Sequence, residues 1–411
     1  MIVKEYIKNF EKLGFGMFVH FGLYSILGKG EWIRHSAQIP EEEYDLLLSE
    51  FNPDLDWADN LVATAKKAGC KYITLTTRHH DGFSLYDTKG LSDYDAMHAK
   101  CKRDLVKEFV DACNKNGIIP FFYHTMLDWH EPSYRLDFKK YLQYLRDSVE
   151  LICTQYGKIG GIWFDGMWDK PAPEWEEDLL YAVIRKHQPE AMIINNSGLS
   201  ALGALGHIEL DSVTFERGVP KPINLDCSPK YIASEMCEVL NECWGYGAED
   251  ICYKAPATII EELADCRKYR SNFLLNVGPL PNGRLRNIDA ATFEIIGQWM
   301  DIFGKTIGEP APTGITVTGN ERDFILKSED GNYYLFCYGL PSESDPNVTR
   351  IHNLDYDLKF PFSSEIESVT FMDNGDKIDF EQKDGICTIH TFPYVFGRNL
   401  VVRVAKIKPK N

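Results

Sequence analysis

The sequence predicts an α/β protein, a (β/α)8-type barrel followed by a C-terminal antiparallel β-sandwich, and three observations carry that prediction. Over roughly the first 290 residues, apolar runs of strand length alternate with amphipathic stretches of helix length, seven or eight times over. After GKTIGEPAPTG (304–314) the pattern changes to short alternating runs broken by Gly, Asn, Asp and Pro, with no helical spacing. At 411 residues and 44% hydrophobic, the chain is long and apolar enough for one large domain and a smaller second one. The boundary is expected near residue 310, giving a barrel domain at 1–310 and a sandwich domain at 311–411.

Taken in order, GFGMFVHFG (14–22) reads as a buried strand and WADNLVATAKKAG (57–69) as an amphipathic helix stopped by glycine. KYITLTTRHH (71–80) is β-branched and strand-like. RDLVKEFVDACNKNG (103–117) is again helical with a glycine stop, and IIPFFYHT (118–125) a strand. The helical stretch 137–157 leads into GGIWFDG, the helical stretch 173–189 into AMIINN (191–196), and SVTFE (212–216) forms the next strand. YIASEMCEV (231–239) holds a further strand, the stretch 258–272 a helix, and FLLNVGP (273–279) closes the series. Beyond 315, the runs FILKS, YYLFCYG, SVTFMD, CTIHTF and NLVVRVAKI are the sandwich strands.

Charge and cysteine usage narrow the partners. With 44 Lys and Arg against 61 Asp and Glu, the net charge of −17 argues against nucleic acid and against an anionic membrane surface. No apolar run approaches the ~20 residues that span a bilayer. Eleven cysteines, an odd number with no CxxC pair, point to a reduced compartment, and the first residues lack the apolar core of a signal peptide; a cytoplasmic location is expected.

Chemistry enters at the strand ends, where barrel enzymes keep their active sites. The inferred strands deliver His20, then His79 and His80, His124, Asp165, Asn195 and Asn196, and Glu216 at their exits. A single strand-end histidine is commonly structural, but four of the chain's 11 histidines fall in these positions, which marks a polar pocket. Two carboxylates, Asp165 and Glu216, reach the same mouth, as glycoside hydrolysis requires of a nucleophile or base and a proton donor. Trp163 and Trp168 offer a flat wall for a sugar ring. Asp165 can also be read as a carboxylate held by a tight glycine turn, and Glu216 as half of a surface ion pair with Arg217.

MFVHFGLYS, GEW at 30–32, TTRHHDGFSLYDTK, GGIWFDGMW and NFLLNVGPLPNG, in this order and spacing from about residue 12 to 290, resemble glycoside hydrolase family 29, the retaining α-L-fucosidases. The resemblance implies that Asp165 is the nucleophile and that His20, Glu31, Trp32, His79, His80, Trp163 and Trp244 bind fucose. It implies an exo-acting hydrolase of terminal α-L-fucosyl residues on oligosaccharides or glycoconjugates, with neither cofactor nor metal. The acid/base maps best onto Glu216, with Glu235 and Glu242 as alternatives. The sugar's methyl group is expected against Trp244 or Phe215. Some family members carry an arginine just after strand five, where this chain has Asn195-Asn196-Ser197.

Two rival classes are testable. A metal-dependent barrel hydrolase also gathers histidines and an Asp at strand ends, but His20 lacks an H-x-H partner, and His79 and His80 face opposite ways unless their strand has ended. A non-catalytic sugar-binding protein keeps the histidines and tryptophans but has no use for a second carboxylate.

Overall fold

The computed structural model describes residues 2–197, 199, 201–226, 228–343 and 356–410. Eight strands close a parallel barrel in chain order: β1 Phe15–Val19, β2 Tyr72–Arg78, β3 Ile119–Thr125, β4 Gly161–Asp165, β5 Met192–Asn195, β6 Ser212–Glu216, β7 Ala233–Val239 and β8 Asn272–Val277. β8 pairs in parallel with β1 to complete the ring.

The helices between them start and stop for local reasons. Asp104 caps Leu105–Asn116 by accepting from the Lys107 amide, and Gly117 ends it in the left-handed conformation. Asp137 caps Phe138–Gln155 by accepting from the Lys140 amide. Trp57–Lys67 and Glu177–His187 are the other long helices between β1 and β5. Among the described residues no helix joins β5 to β6 or β6 to β7. The first connection carries Gly203 and Gly206, and the second Gly218, Pro220, Pro222 and Pro229, residues that interrupt a helix. Two of the expected βα repeats are therefore strand-plus-loop.

Alternation along the strands fills the barrel. Phe18, Tyr72, Phe121, Tyr123, Trp163, Ile194, Cys237 and Leu274 pack inside it, with Ile7 and Phe10 of the N-terminal helix Glu5–Glu11 in the same cluster. Close packing explains Gly16: a Cβ there would sit 2.5 Å from the Tyr72 ring. One carboxylate is buried in this interior. Glu235 accepts from Tyr72 Oη at 2.5 Å and from Trp163 Nε1 at 2.9 Å, and burial pushes its carboxyl up to about 7 against those two bonds.

The chain divides into two compact units, Met1–Lys254 with Ser271–Glu294, and Ala255–Arg270 with Ile295–Asn411. The second contains a five-stranded antiparallel sheet ordered Ile366–Phe371, Val402–Pro409, Tyr333–Tyr338, Phe324–Lys327, Ala311–Thr316, and a three-stranded sheet of Tyr356–Pro361, Ile386–Thr391 and Phe380–Lys383. Leu335, Phe371 and Ile407 of the first sheet share one core with Leu358, Phe360 and Ile389 of the second, a sandwich. This unit also takes the helix Pro256–Lys268, which a boundary at residue 310 assigns to the barrel. Arg322 pairs with Glu261 and Asp265 of that helix, and Tyr338 Oη donates to Asp265.

Candidate active site

At the C-terminal ends of the barrel strands lies a cavity of about 110 Å3 lined by His20, Trp32, His79, His80, Tyr123, Trp163, Asp165, Trp168, Asn196, Glu216, Cys237 and Trp244, with Phe18 and Leu199. All lining residues fall between 18 and 244. Strand alternation decides who is in: residues on one parity of each strand face the lumen and their neighbours face the helices. On β4, Trp163 and Asp165 face in while Phe164 is fully buried against Tyr181 of Glu177–His187.

Asp165 ends β4, with 17% of its side chain accessible. Gly166 then turns the chain with φ of 90°, where a Cβ would meet Leu127 Cβ at 2.6 Å; this residue has to be glycine. Asp165 Oδ2 accepts from Tyr123 Oη at 3.1 Å and faces His80 Nε2 at 3.5 Å, while Asn196 Nδ2 reaches Oδ1 at 3.4 Å. Burial pushes the carboxyl up, but the contacts with His80, the Gly166 amide and Tyr123 outweigh it and hold Asp165 below the usual carboxylate range. Glu216, at the end of β6, goes the other way. Burial first, then the charge of Asp165, raises it to about 7, with the Asn196 bond and Arg217 opposing.

The same Asn196 nitrogen lies 2.5 Å from Glu216 Oε2. Asp165 Oδ1 and Glu216 Oε2 are therefore no farther apart than those two bond lengths laid end to end. Of the three glutamates considered as proton donor, Glu216 alone lines the cavity. Glu235 is committed to Tyr72 and Trp163, and Glu242 pairs with Arg217 at 3.3 Å.

The histidines are held by partners that fix their tautomers. Asn276 Nδ2 donates to the Trp244 carbonyl at 2.7 Å, so its Oδ1, 2.6 Å from His20, accepts a proton on Nδ1. Burial lowers His20 to about 3, leaving a neutral ring whose Nε2 is an acceptor. Thr125 Oγ1 donates to the Leu127 carbonyl and so accepts from His80 Nδ1 at 2.7 Å, turning Nε2 toward Asp165. His79 is neutral as well, pushed well below the usual histidine range by burial and then by His80 and His20. β2 ends at Arg78 after a register shift between Thr76 and Arg78, so His79 and His80 lie beyond the pleat and both line the cavity. A wall of indoles completes the site, with Trp32 stacked on Trp168 at 5.8 Å.

Several expectations need correction. His124 faces out of the barrel: its Nδ1 bonds the Thr125 carbonyl at 2.8 Å and its ring lies beside Tyr86, while the residue before it, Tyr123, occupies the lumen. Glu31 does not line the cavity. It is buried beside it, where Oε2 accepts from the Gly245 amide at 2.7 Å and ties down the loop carrying Trp244. Phe215 is turned outward under Gly203, so of the two aromatics expected near the sugar's methyl group only Trp244 lines the cavity. Tyr123 is a site residue the sequence reading missed, visible only as the neighbour of His124, and of the strand-exit pair Asn195 and Asn196 it is Asn196 that lines the cavity. His124→Ala should therefore destabilise the protein by about 1–3 kcal/mol through a lost buried bond and packing. Its KM should match the parent's; a tenfold rise in KM at an unchanged melting temperature would return His124 to the site.

Nδ1 of His20 and of His80 are engaged by protein partners, which leaves Nε2 as the outward-facing nitrogen of each ring. Among the described residues, the group of His and carboxylate atoms close enough to share a cation is Glu41, Asp45 and His130, none of which lines the cavity.

Comparison with known proteins identifies the family. The family model for alpha-L-fucosidase matches residues 3–305. The chain belongs to the α-L-fucosidase family. It is thereby a glycoside hydrolase. The family's tissue alpha-L-fucosidase from Bos taurus is 28% identical over 74% of this chain and 69% of its own, and that from Mus musculus 28% over 83% and 80%. Among solved structures, alpha-L-fucosidase isoenzyme 1 from Paenibacillus thiaminolyticus superposes with a TM-score of 0.82 at 26% identity, covering 99% of both chains. The family 29 α-L-fucosidase of Bacteroides thetaiotaomicron, at 23% identity and a TM-score of 0.83, has the same fold.

Proposed function

We propose that the protein is a retaining, exo-acting α-L-fucosidase that removes terminal α-L-fucosyl residues from fucosylated oligosaccharides or glycoconjugates. Asp165 is the nucleophile and Glu216 the acid/base. The observation that carries this reading is one amide nitrogen, that of Asn196, within 3.4 Å of Asp165 and 2.5 Å of Glu216. The resulting limit on their oxygen–oxygen separation is below the roughly 6.5–9.5 Å that inverting pairs need for an intervening water, and fits the roughly 5–5.5 Å of retaining pairs.

Their environments suit the two roles. Asp165, held ionised, attacks the anomeric carbon as Glu216, raised to about 7, gives its proton to the departing glycosidic oxygen. In the second half-reaction the Glu216 carboxylate takes a proton from water, whose oxygen displaces Asp165 from that carbon. Tyr123 and His80 steady the Asp165 carboxylate as its charge is consumed and restored. His20 Nε2, an acceptor, receives a hydrogen bond from a sugar hydroxyl, and the indoles of Trp163 and Trp244 cover the sugar's apolar faces. The cavity is small and floored by Phe18, Trp163 and Cys237, which favours a terminal residue over a through-running chain.

The test is hydrolysis of aryl glycosides of α-L-fucose, β-D-galactose, α-L-rhamnose and β-D-xylose, with the first-released anomer followed by proton NMR. Turnover confined to the α-L-fucoside, α-L-fucose appearing first, and indifference to EDTA are expected. A β-anomer first product would overturn retention. Dependence on an added divalent ion would revive the metal-dependent alternative.

A further inference from the structure

Asn196 stands one residue past β5. Its neighbour Asn195 faces outward and donates to Tyr181 Oη at 2.9 Å, so Asn196 is the one turned into the cavity. Its amide is held on both sides. The oxygen accepts from Thr214 Oγ1 at 3.0 Å, and the backbone amide donates to the Phe164 carbonyl at 2.9 Å. The end facing the carboxylates has to be the nitrogen, because an ionised Asp165 can only accept.

From this geometry we infer that Asn196 is a positioning residue for proton transfer: it occupies Glu216 Oε2 and confines the acid's proton to Oε1. The inference rests on the functional reading above and deepens it. An oxygen that already accepts a bond at 2.5 Å cannot aim its own hydroxyl along the same line, so the proton is carried on the other oxygen. In the first half-reaction that proton leaves Oε1 for the glycosidic oxygen, as the C1–O bond breaks and the bond from C1 to Asp165 forms. In the second, Oε1 takes the proton back from water as the ester bond to Asp165 breaks. The second contact of the same nitrogen, to Asp165, couples the spacing of the two carboxyls to a single side chain.

Asn196 also does this without a charge. The charged or titratable groups around Glu216 are Asp165 on β4, Tyr123 on β3, Glu31 after β1, Cys237 on β7, and Arg217, which is itself engaged with Glu238 and Glu242. A cation in place of the amide would favour the ionised acid, whereas a neutral donor supplies orientation and leaves the proton in place near neutral pH.

The direction of the pH effect follows. The Asn196 bond favours the carboxylate form of Glu216, so removing it raises the acid's pKa, and the alkaline limb of kcat/KM moves to higher pH. Asn196→Ala should shift that limb up by about one unit. It should slow an α-L-fucosyl disaccharide by roughly 10–100-fold, and an aryl α-L-fucoside with an acidic leaving group only a few-fold. Thr214→Val, which frees the amide oxygen and leaves both carboxylates' partners present, should move both readouts the same way by less. Equal losses on both substrates with an unmoved alkaline limb, in both variants, would overturn the inference and leave Asn196 a packing residue. Glu216→Ala run alongside separates the two levels: if it too is indifferent to the leaving group, the functional reading fails, whereas if it alone discriminates, only the role of Asn196 does.

Discussion

Replacing Asp165 by Asn should lower hydrolysis of aryl α-L-fucosides by about 10⁴-fold or more while leaving the protein folded. The reason is electronic, because the amide keeps the volume and most hydrogen bonds of the carboxylate but has no nucleophilic oxygen. Tyr123 Oη can still donate to the amide oxygen. What changes is the charge. Burial among Trp163, Trp168 and Tyr123 opposes the charge, but the contacts with His80, the Gly166 amide and Tyr123 outweigh it, so the ionised group stabilises the fold. The variant's melting temperature should therefore fall slightly below the parent's at neutral pH while the protein stays folded. Glu216 supplies an internal reporter, since its elevation comes from burial and then from Asp165. With the Asp165 charge gone, the pKa of Glu216 should fall below about 7, read by the pH dependence of fucose binding. Activity within tenfold of the parent, at an unchanged fold by circular dichroism, would remove Asp165 from the nucleophile role.

Most of the barrel was legible because the strands carry strong, short-range signals. SVTFE is an alternating β-branched run that became β6 at its expected bounds, Ser212–Glu216. The helix before β3 announced itself by its glycine stop and the one after it by helical spacing, and the structure adds an Asp cap to each. The missing helices between β5 and β7 were also written in the chain, as the glycines and prolines of 203–229, but a repeat pattern invites the reader to complete it.

The site was legible in its composition and less so in its orientation. Adjacent polar residues at a strand exit, Tyr123 with His124 and Asn195 with Asn196, cannot both face the lumen, and sequence does not set the parity. Tertiary contacts do: His124 is drawn out toward Tyr86, and Asn195 toward Tyr181. His79 and His80 escape this rule because β2 has already ended, at a register shift no local pattern reports. Glu235 was a candidate by spacing alone. Its position two residues before Cys237 on β7 puts it deeper in the barrel, where it holds the Trp163 indole from below.

Glu216→Ala tests the assignment that distinguishes a proton donor from any other buried carboxylate. A general acid matters most when the leaving group is poor, because a stable anion departs without protonation. Fucosyl disaccharides should therefore lose roughly 10²–10⁴-fold in kcat/KM, and α-L-fucosyl fluoride or a dinitrophenyl fucoside far less. The alkaline limb that the parent owes to Glu216, near its pKa of about 7, should disappear on activated substrates. In the second half-reaction no base remains to activate water, so the fucosyl-enzyme should accumulate. Azide needs no such base and fits the space left by the lost carboxylate, so it should restore turnover and yield β-L-fucosyl azide only if the product is formed with inversion of the starting bond. Attack on an intermediate already inverted at Asp165 gives instead the α-azide, while a single direct displacement at the α-fucoside, bypassing Asp165, gives the β-azide. The anomer thus reports which carboxyl was lost: α-azide from Glu216→Ala, with Asp165 still forming the intermediate, and β-azide from Asp165→Ala. A β-azide from Glu216→Ala, or rescue by azide in Glu242→Ala instead, would exchange or displace the roles assigned here.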